Sequence, residues 1–141
     1  MSIEENKALT RRAYDAFNQR DLAAFYELMT PDFVLHNAST TIQGLEAYKQ
    51  WISLYLIAFP DARLTIEEML ADQDKVVVRQ TFRGTHQGDL MGIPSTGKQV
   101  AVPGIFITRI VNGKAVEQWA NYDELGLMQQ LGVIPGPGQA S

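Results

Sequence analysis

Three features of the sequence predict an α+β fold: helical periodicity up to residue 59, alternating strand-like segments joined by turn signals after residue 61, and one further helical stretch at the end. Helices gathered early and antiparallel strands gathered late imply helices packed on one face of a sheet. A sheet curved by bulges over helices makes a cone with an open mouth, which suits a small molecule. The predicted architecture is therefore a cone-shaped, curved, mostly antiparallel sheet against three N-terminal helices, with a short C-terminal helix.

The elements follow in order. Ser2 and Glu5 form a capping-box pattern, and Leu9, Ala13, Ala16 and Phe17 mark one apolar stripe, so residues 3–18 read as an amphipathic helix. Asp21 is placed to cap a second helix running to Met29, stopped by Thr30-Pro31. Phe33 to His36 reads as a short strand, and the small polar residues from Asn37 to Gln43 read as a loop. A third helix spans Gly44 to Phe59, ended by Pro60. Strands 62–71 and 75–87 flank the turn Asp72-Gln73-Asp74, and residues 88–97 (GDLMGIPSTG) form a loop that is either a lid or a plain connection. Residues 98–111 form a long strand in which Pro103-Gly104 predicts a bulge or bend. Asn112-Gly113 is a type I′ hairpin signal feeding the last strand. Residues 1–134 are expected to be one domain, and 135–141 (PGPGQAS) an irregular tail.

Bulk properties narrow the function. The chain has 141 residues, 45% hydrophobic and 20% charged, which describes an ordinary globular domain with a real core. A net charge of -4 without a Lys/Arg cluster argues against a nucleic-acid partner. No apolar run reaches membrane-spanning length and the N-terminus lacks a signal peptide's apolar centre, so a cytoplasmic location is expected. No cysteine is present, which removes disulfides and thiolate chemistry, and two distant histidines give no metal-binding pattern. A metal centre is therefore not expected.

The chemistry concentrates in Glu117 to Gly132, EQWANYDELGLMQQLG, a strand running into a helix. Glu117, Trp119, Asn121 and Asp123 share one strand face, a row suited to lining a pocket. Asp123 has two readings, a pocket acid and the N-cap of the helix marked by Leu125, Met128 and Leu131. His86 lies on the face of Val76, Val78, Gln80, Phe82 and Gly84, and His36 stands at the end of the first strand. Tyr14, Phe17, Tyr48, Trp51 and Tyr55 have helical spacing and read as packing, with Tyr14 or Trp51 also able to touch a ligand.

ENKALTRRAYDAFNQRDL, GLEAYKQW, AFPDARLTIEEMLADQDKVVVR, GTHQGDLMGIPSTGKQV and EQWANYDELGLMQQLG, in this order, resemble the SnoaL-like polyketide cyclases, or ester cyclases, of the nuclear-transport-factor-2-like superfamily. The resemblance covers nearly the whole chain. It implies the cone-shaped fold, a homo-oligomer (dimer or tetramer), and a cofactor-independent intramolecular aldol condensation on a polyketide-like carbonyl substrate. It also implies that Asp123 is the acid/base residue and that His36 and His86 are its companions. Gln80 and Phe106 depart from the family pattern, a large aromatic being usual at the first and a more polar residue at the second, which would reshape the pocket.

Such chemistry needs a base near a C–H bond and a donor near the developing oxyanion. Asp123 would move the proton, and His86 or His36 would hold the oxygen or orient a water. Gln80 and Asn121 would hold substrate oxygens, Trp119 and Phe106 would keep the site dry, and Glu117, Phe82, Tyr14 and Trp51 complete the expected lining. Epoxide hydrolysis on this fold wants Arg-x-Asp, whereas Arg79 is followed by Gln80-Thr81 and Arg109 by Ile110-Val111. A steroid-isomerase-like site wants an acid where His36 stands. The remaining alternative is a non-catalytic binding or interaction protein, favoured if Asp123 is wholly occupied as a helix cap.

Overall fold

The computed structural model describes residues 2–38 and 40–136; the expected tail lies outside the described residues from 137 onward. In chain order the elements are α1 (Ile3–Asn18), α2 (Leu22–Glu27), β1 (Met29–Asn37), β2 (Thr41–Gln43), α3 (Leu45–Ala58), β3 (Arg63–Asp72), β4 (Lys75–Thr85), β5 (Gln99–Val111), β6 (Lys114–Tyr122) and α4 (Glu124–Leu131). All six strands join one sheet in the order β2-β1-β6-β5-β4-β3. Its pairings are antiparallel except for β1 beside β6, which run parallel.

Local chemistry explains the boundaries. The capping box at the start of α1 is complete: Ser2 Oγ accepts from the Glu5 amide at 3.0 Å and Glu5 Oε1 from the Ser2 amide at 3.1 Å. Asp21 caps α2 through the Ala24 amide at 3.2 Å. The hairpin at Asn112-Gly113 has positive φ at both residues, 50° and 76°, as a type I′ turn demands. At the far end of α1, the Asn18 side chain exchanges two 2.8 Å hydrogen bonds with the backbone of Leu64 on edge strand β3. This pair ties the helix to the sheet and satisfies edge groups that would otherwise be open.

Three expectations need correction. The second helix ends at Glu27, and Met29 already begins β1, because Thr30 and Pro31 continue as extended chain. Residues 41–43 are a strand, since Val34, Leu35 and His36 offer the free edge of β1 to Gln43, Ile42 and Thr41. Pro103-Gly104 carries no break in register. The irregularities fall at Met29/Val34, Ile66/Glu68 and Arg109/Ile110.

Helices α1 and α3 cover the concave face of the sheet, α1 over β3 and α3 over β1, while α4 packs on β5. The main core joins Phe17, Phe25, Phe33, Leu35, Ile52, Phe59, Leu90 and Leu131. A smaller cluster of Leu9, Val76, Val78 and Ile110 closes one end. Gln80, Gly104 and Tyr122 stand abreast on β4, β5 and β6. A Cβ at Gly104 would lie 2.8 Å from Tyr122 Cβ and 2.9 Å from Phe106 Cε1, so only glycine lets those two rings close over the strand. The Phe106 and Tyr122 rings run parallel within 4°, centroids 6.4 Å apart. We expect Gly104→Ala to destabilise the fold by about 1–3 kcal/mol through this overpacking. A urea midpoint equal to that of the parent would show that the approach is not tight.

Candidate active site

Between α1, α3 and the concave sheet face the side chains leave a cavity in which water centres could occupy about 140 Å³. α1 contributes Thr10 and Tyr14 to its wall, α3 contributes Tyr48, Trp51 and Tyr55, β4 contributes Gln80 and Phe82, β5 contributes Phe106 and Thr108, and β6 contributes Gln118 and Tyr122. Among the described residues no Asp, Glu, Lys, Arg or His lines it.

The rings brace one another. Trp51 packs on Tyr48 and Tyr55 with centroids 6.0 and 5.0 Å away, and Tyr55 meets Phe82 edge-on at 6.3 Å. Helical spacing on α3 brings Tyr48, Trp51 and Tyr55 to one face. Strand alternation brings Gln118 and Tyr122 to the inside of β6.

Paired polar side chains occur in three places on this apolar wall. The Tyr14 hydroxyl donates to Gln80 Oε1, leaving the Gln80 amide nitrogen as a donor. The Tyr55 and Tyr122 hydroxyls lie 2.9 Å apart, and Asn37 Nδ2 donates to the Tyr122 oxygen at 3.3 Å. Gln118 Nε2 donates to Thr108 Oγ1 at 2.9 Å. Burial pushes the phenols of Tyr14, Tyr48, Tyr55 and Tyr122 above their ordinary pKa, so each stays protonated. Smaller in effect than burial and than the Tyr55–Tyr122 contact, the charge of the Glu124 carboxylate also raises Tyr55 and Tyr122.

The expected site divides into two groups. Tyr14, Trp51, Gln80, Phe82 and Phe106 all line the cavity. Glu117, Trp119 and Asn121 do share a face, but it is the outer face of the sheet, opposite Gln118 and Tyr122. His36 is there too, its Nε2 2.6 Å from Glu117 Oε2 and its ring stacked on Trp119 at 5.5 Å. Arg109 Nε completes this cluster, 3.3 Å from Glu117 Oε1. The reason is desolvation: a carboxylate and an imidazole cost less on a half-solvated sheet face than inside a dry hollow.

Asp123 is exposed, and its Oδ1 accepts from the Gly126 amide at 2.8 Å. The helix-cap reading describes its geometry, and it does not face the cavity. His86 lies on the concave face as expected but is fully buried beyond the cavity. Its Nδ1 accepts from the Thr96 amide at 3.2 Å, and its carbonyl accepts from the Gly97 amide at 2.8 Å. These bonds fasten the 88–97 segment, which is pinned further by the buried Leu90 and lines none of the cavity.

Tyr55, Tyr122, Asn37, Thr108, Gln118 and Glu124 were not singled out from the sequence. Tyr55 was visible as part of a helical stripe, and Tyr122 and Gln118 as the alternate face of β6. Among the described residues no group of three or more His, Asp or Glu is gathered as for a metal ion. No helix among them is long and apolar enough to cross a membrane.

A partly open hollow walled by aromatic rings, with neutral donors and acceptors at fixed points, defines a site for an uncharged, oxygen-bearing small molecule. The comparisons carry this to a family. The model for "SnoaL-like polyketide cyclase" matches residues 8–131, and the chain belongs to that family. It is similar to the aklanonic acid methyl ester cyclases DauD of Streptomyces sp. (strain C5) and DnrD of Streptomyces peucetius. Each is 32% identical over 133 residues, covering 88% of this chain and 80% and 88% of the relatives respectively. Among solved structures it is similar to AclR of Streptomyces galilaeus, for which hydroxylation has been suggested. That likeness has a TM-score of 0.87 and 32% identity, and covers 95% of this chain and all of AclR.

Two consequences concern the residues outside the cavity. The His36 hydrogen bond, with Arg109 behind it, holds the Glu117 carboxyl below its ordinary pKa. A carboxylate depressed in the folded state contributes stability above its unfolded pKa and loses it as the pH falls through the folded one. Denaturation of the parent should therefore become easier as the pH falls through and below the ordinary carboxylate range, and Glu117→Gln should flatten that part of the profile. Parallel profiles would exclude the pair as a source of stability. Asp123→Ala should cost about 1 kcal/mol as a lost cap, measured by urea unfolding.

Proposed function

We propose that this protein is an ester cyclase that closes a ring by intramolecular aldol addition on a neutral, polyketide-like carbonyl compound held in the cavity. The observation that supports this best is the wall itself: aromatic, free of charged groups, and provided with hydroxyl and amide groups where oxygens would sit. The similarity to two methyl ester cyclases supports the substrate class, a small polyketide-like methyl ester.

The carboxylates that follow the cavity-lining Tyr122 in the chain are Asp123, the cap of α4, and Glu124, its first residue. Asp123, the acid/base residue by family resemblance, is exposed and engaged with Gly126. Glu124 is half-buried, stands outside the cavity lining two residues beyond Tyr122, and its charge bears on Tyr122 and Tyr55. We assign the proton acceptor to Glu124, whose side chain would turn toward the cavity mouth to reach a bound substrate. The C–H bond beside one carbonyl breaks and its proton goes to the Glu124 carboxylate, while the electron pair moves toward the carbonyl oxygen. The enolate carbon then bonds to a second carbonyl carbon of the same molecule, and the resulting alkoxide takes the proton back. Atoms balance and the product is an isomer of the substrate.

The test is incubation with a polyketide keto methyl ester and chromatography with mass detection. Cyclisation gives a new peak of unchanged mass, whereas a gain of one oxygen would indicate the hydroxylation suggested for AclR. Binding without any new peak would leave a non-catalytic carrier. Glu124→Gln should lower kcat about 100-fold or more, and Asp123→Asn should leave it within about threefold, because Asn is as good an N-cap. The reverse pattern would return the base to Asp123.

A further inference from the structure

We infer that the Tyr55–Tyr122 hydroxyl pair is the carbonyl-binding point of the cavity, presenting one O–H to a substrate oxygen. This rests on the carbonyl-substrate reading above. The inference follows from counting protons. Two hydroxyls 2.9 Å apart share one hydrogen bond, which uses one of their two protons whichever is the donor.

Asn37 cannot take the second proton through its amide nitrogen. Its Oδ1 accepts from the Ala38 amide at 2.9 Å, which fixes Nδ2 as the group facing Tyr122, and Nδ2 donates. The pair therefore keeps one O–H that neither tyrosine nor Asn37 accepts. Both phenols line the cavity, so that proton can be offered there.

The geometry favours an oxygen on an aromatic framework. When Tyr55 is the donor, the Tyr122 oxygen accepts two hydrogen bonds, which makes its own O–H a stronger donor. The Phe106 ring lies parallel to Tyr122, and Tyr55 packs against Trp51 at 5.0 Å, so a flat ligand meets ring faces beside the donor. The Glu124 carboxylate follows Tyr122 by two residues in the chain, and burial together with that charge keeps the Tyr122 proton on the phenol, so the group stays a donor. The placement is that of an oxyanion donor, ready before charge develops and shielded from water.

The test uses α-tetralone, an aryl ketone, and tetralin, the same framework without the oxygen. Binding is followed by tryptophan fluorescence, and the ketone's C=O stretch by infrared difference spectroscopy. Bound to the parent protein, α-tetralone should show its stretch shifted down from its value in an apolar solvent. Tyr122→Phe should weaken α-tetralone roughly five- to tenfold, return the stretch toward the apolar value and leave tetralin within about twofold. Tyr55→Phe should act in the same direction. The double variant should be weaker than either single one, because each single variant still leaves one hydroxyl proton and only the double variant removes both. Equal losses for both ligands, or an unshifted stretch in the parent, would overturn the assignment. Should Tyr122→Phe fail to fold, Tyr55→Phe and the parent's stretch still decide. With the keto methyl ester, Tyr122→Phe should lower kcat about 100-fold with little change in KM. Absence of any cyclisation by the parent, with the α-tetralone pattern intact, would sink the cyclase reading and leave the carbonyl site standing.

Discussion

The site depends on the placement of β6 between β1, to which it is parallel, and β5, to which it is antiparallel. A strand with neighbours on both edges has no freedom to roll, so the parity of its residues is settled by register. Leu35 opposite Gln118 and Phe106 opposite Ala120 commit the even-numbered positions from Gln118 to Tyr122 to the helices. Glu117, Trp119 and Asn121 go outward as a consequence. Shifting this strand by one residue would place a carboxylate and an indole in the hollow and the Tyr122 hydroxyl on the outer surface. The cavity's neutrality is thus a property of a register.

That neutrality determines what can bind. With no charged group on the wall, an anionic substrate would lose its hydration without gaining a counter-ion, a cost far above that of one hydrogen bond. A neutral ketone loses only weak hydration and recovers it from a phenol or an amide. Burial keeps the phenols protonated, and hence keeps them donors. The charged cluster of His36, Glu117 and Arg109 sits where water still reaches it, so the sheet separates two electrostatic regimes by one backbone thickness.

Much of the architecture was legible because local signals agreed with the global pattern. The capping box at Ser2 and Glu5, the Asn112-Gly113 turn and the stripe of Tyr48, Trp51 and Tyr55 each describe a short stretch, and each is realised. The cavity side of α1 and β4, namely Tyr14, Gln80 and Phe82, was legible through the same periodicities. What could not be read was which face of β6 looks inward. Alternation separates two sets of residues without saying which is inside, and here the polar row was assigned to the pocket on the strength of its acids. The deciding contacts are to β1, about eighty residues earlier in the chain, and no local pattern carries them. Tyr122 and Gln118 were overlooked for the same reason.

The offset between Asp123 and Glu124 shows how a cap shapes chemistry. A residue at the N-cap must turn its carboxylate back on the first turn, as Asp123 does toward Gly126, and this fixes its direction. The next residue, Glu124, has helical backbone and its own side-chain direction, and its charge adds to burial in raising the pKa of Tyr122. In the proposed reaction the cap would therefore have a part even without touching substrate. By starting α4 immediately after Tyr122 it fixes where Glu124 stands relative to the phenols. Enolate chemistry asks for a base and an oxyanion donor a few ångströms apart in a dry place. In the proposed reaction a strand end would supply the donor and the capped helix that follows it the base, so consecutive elements of one chain would meet that demand.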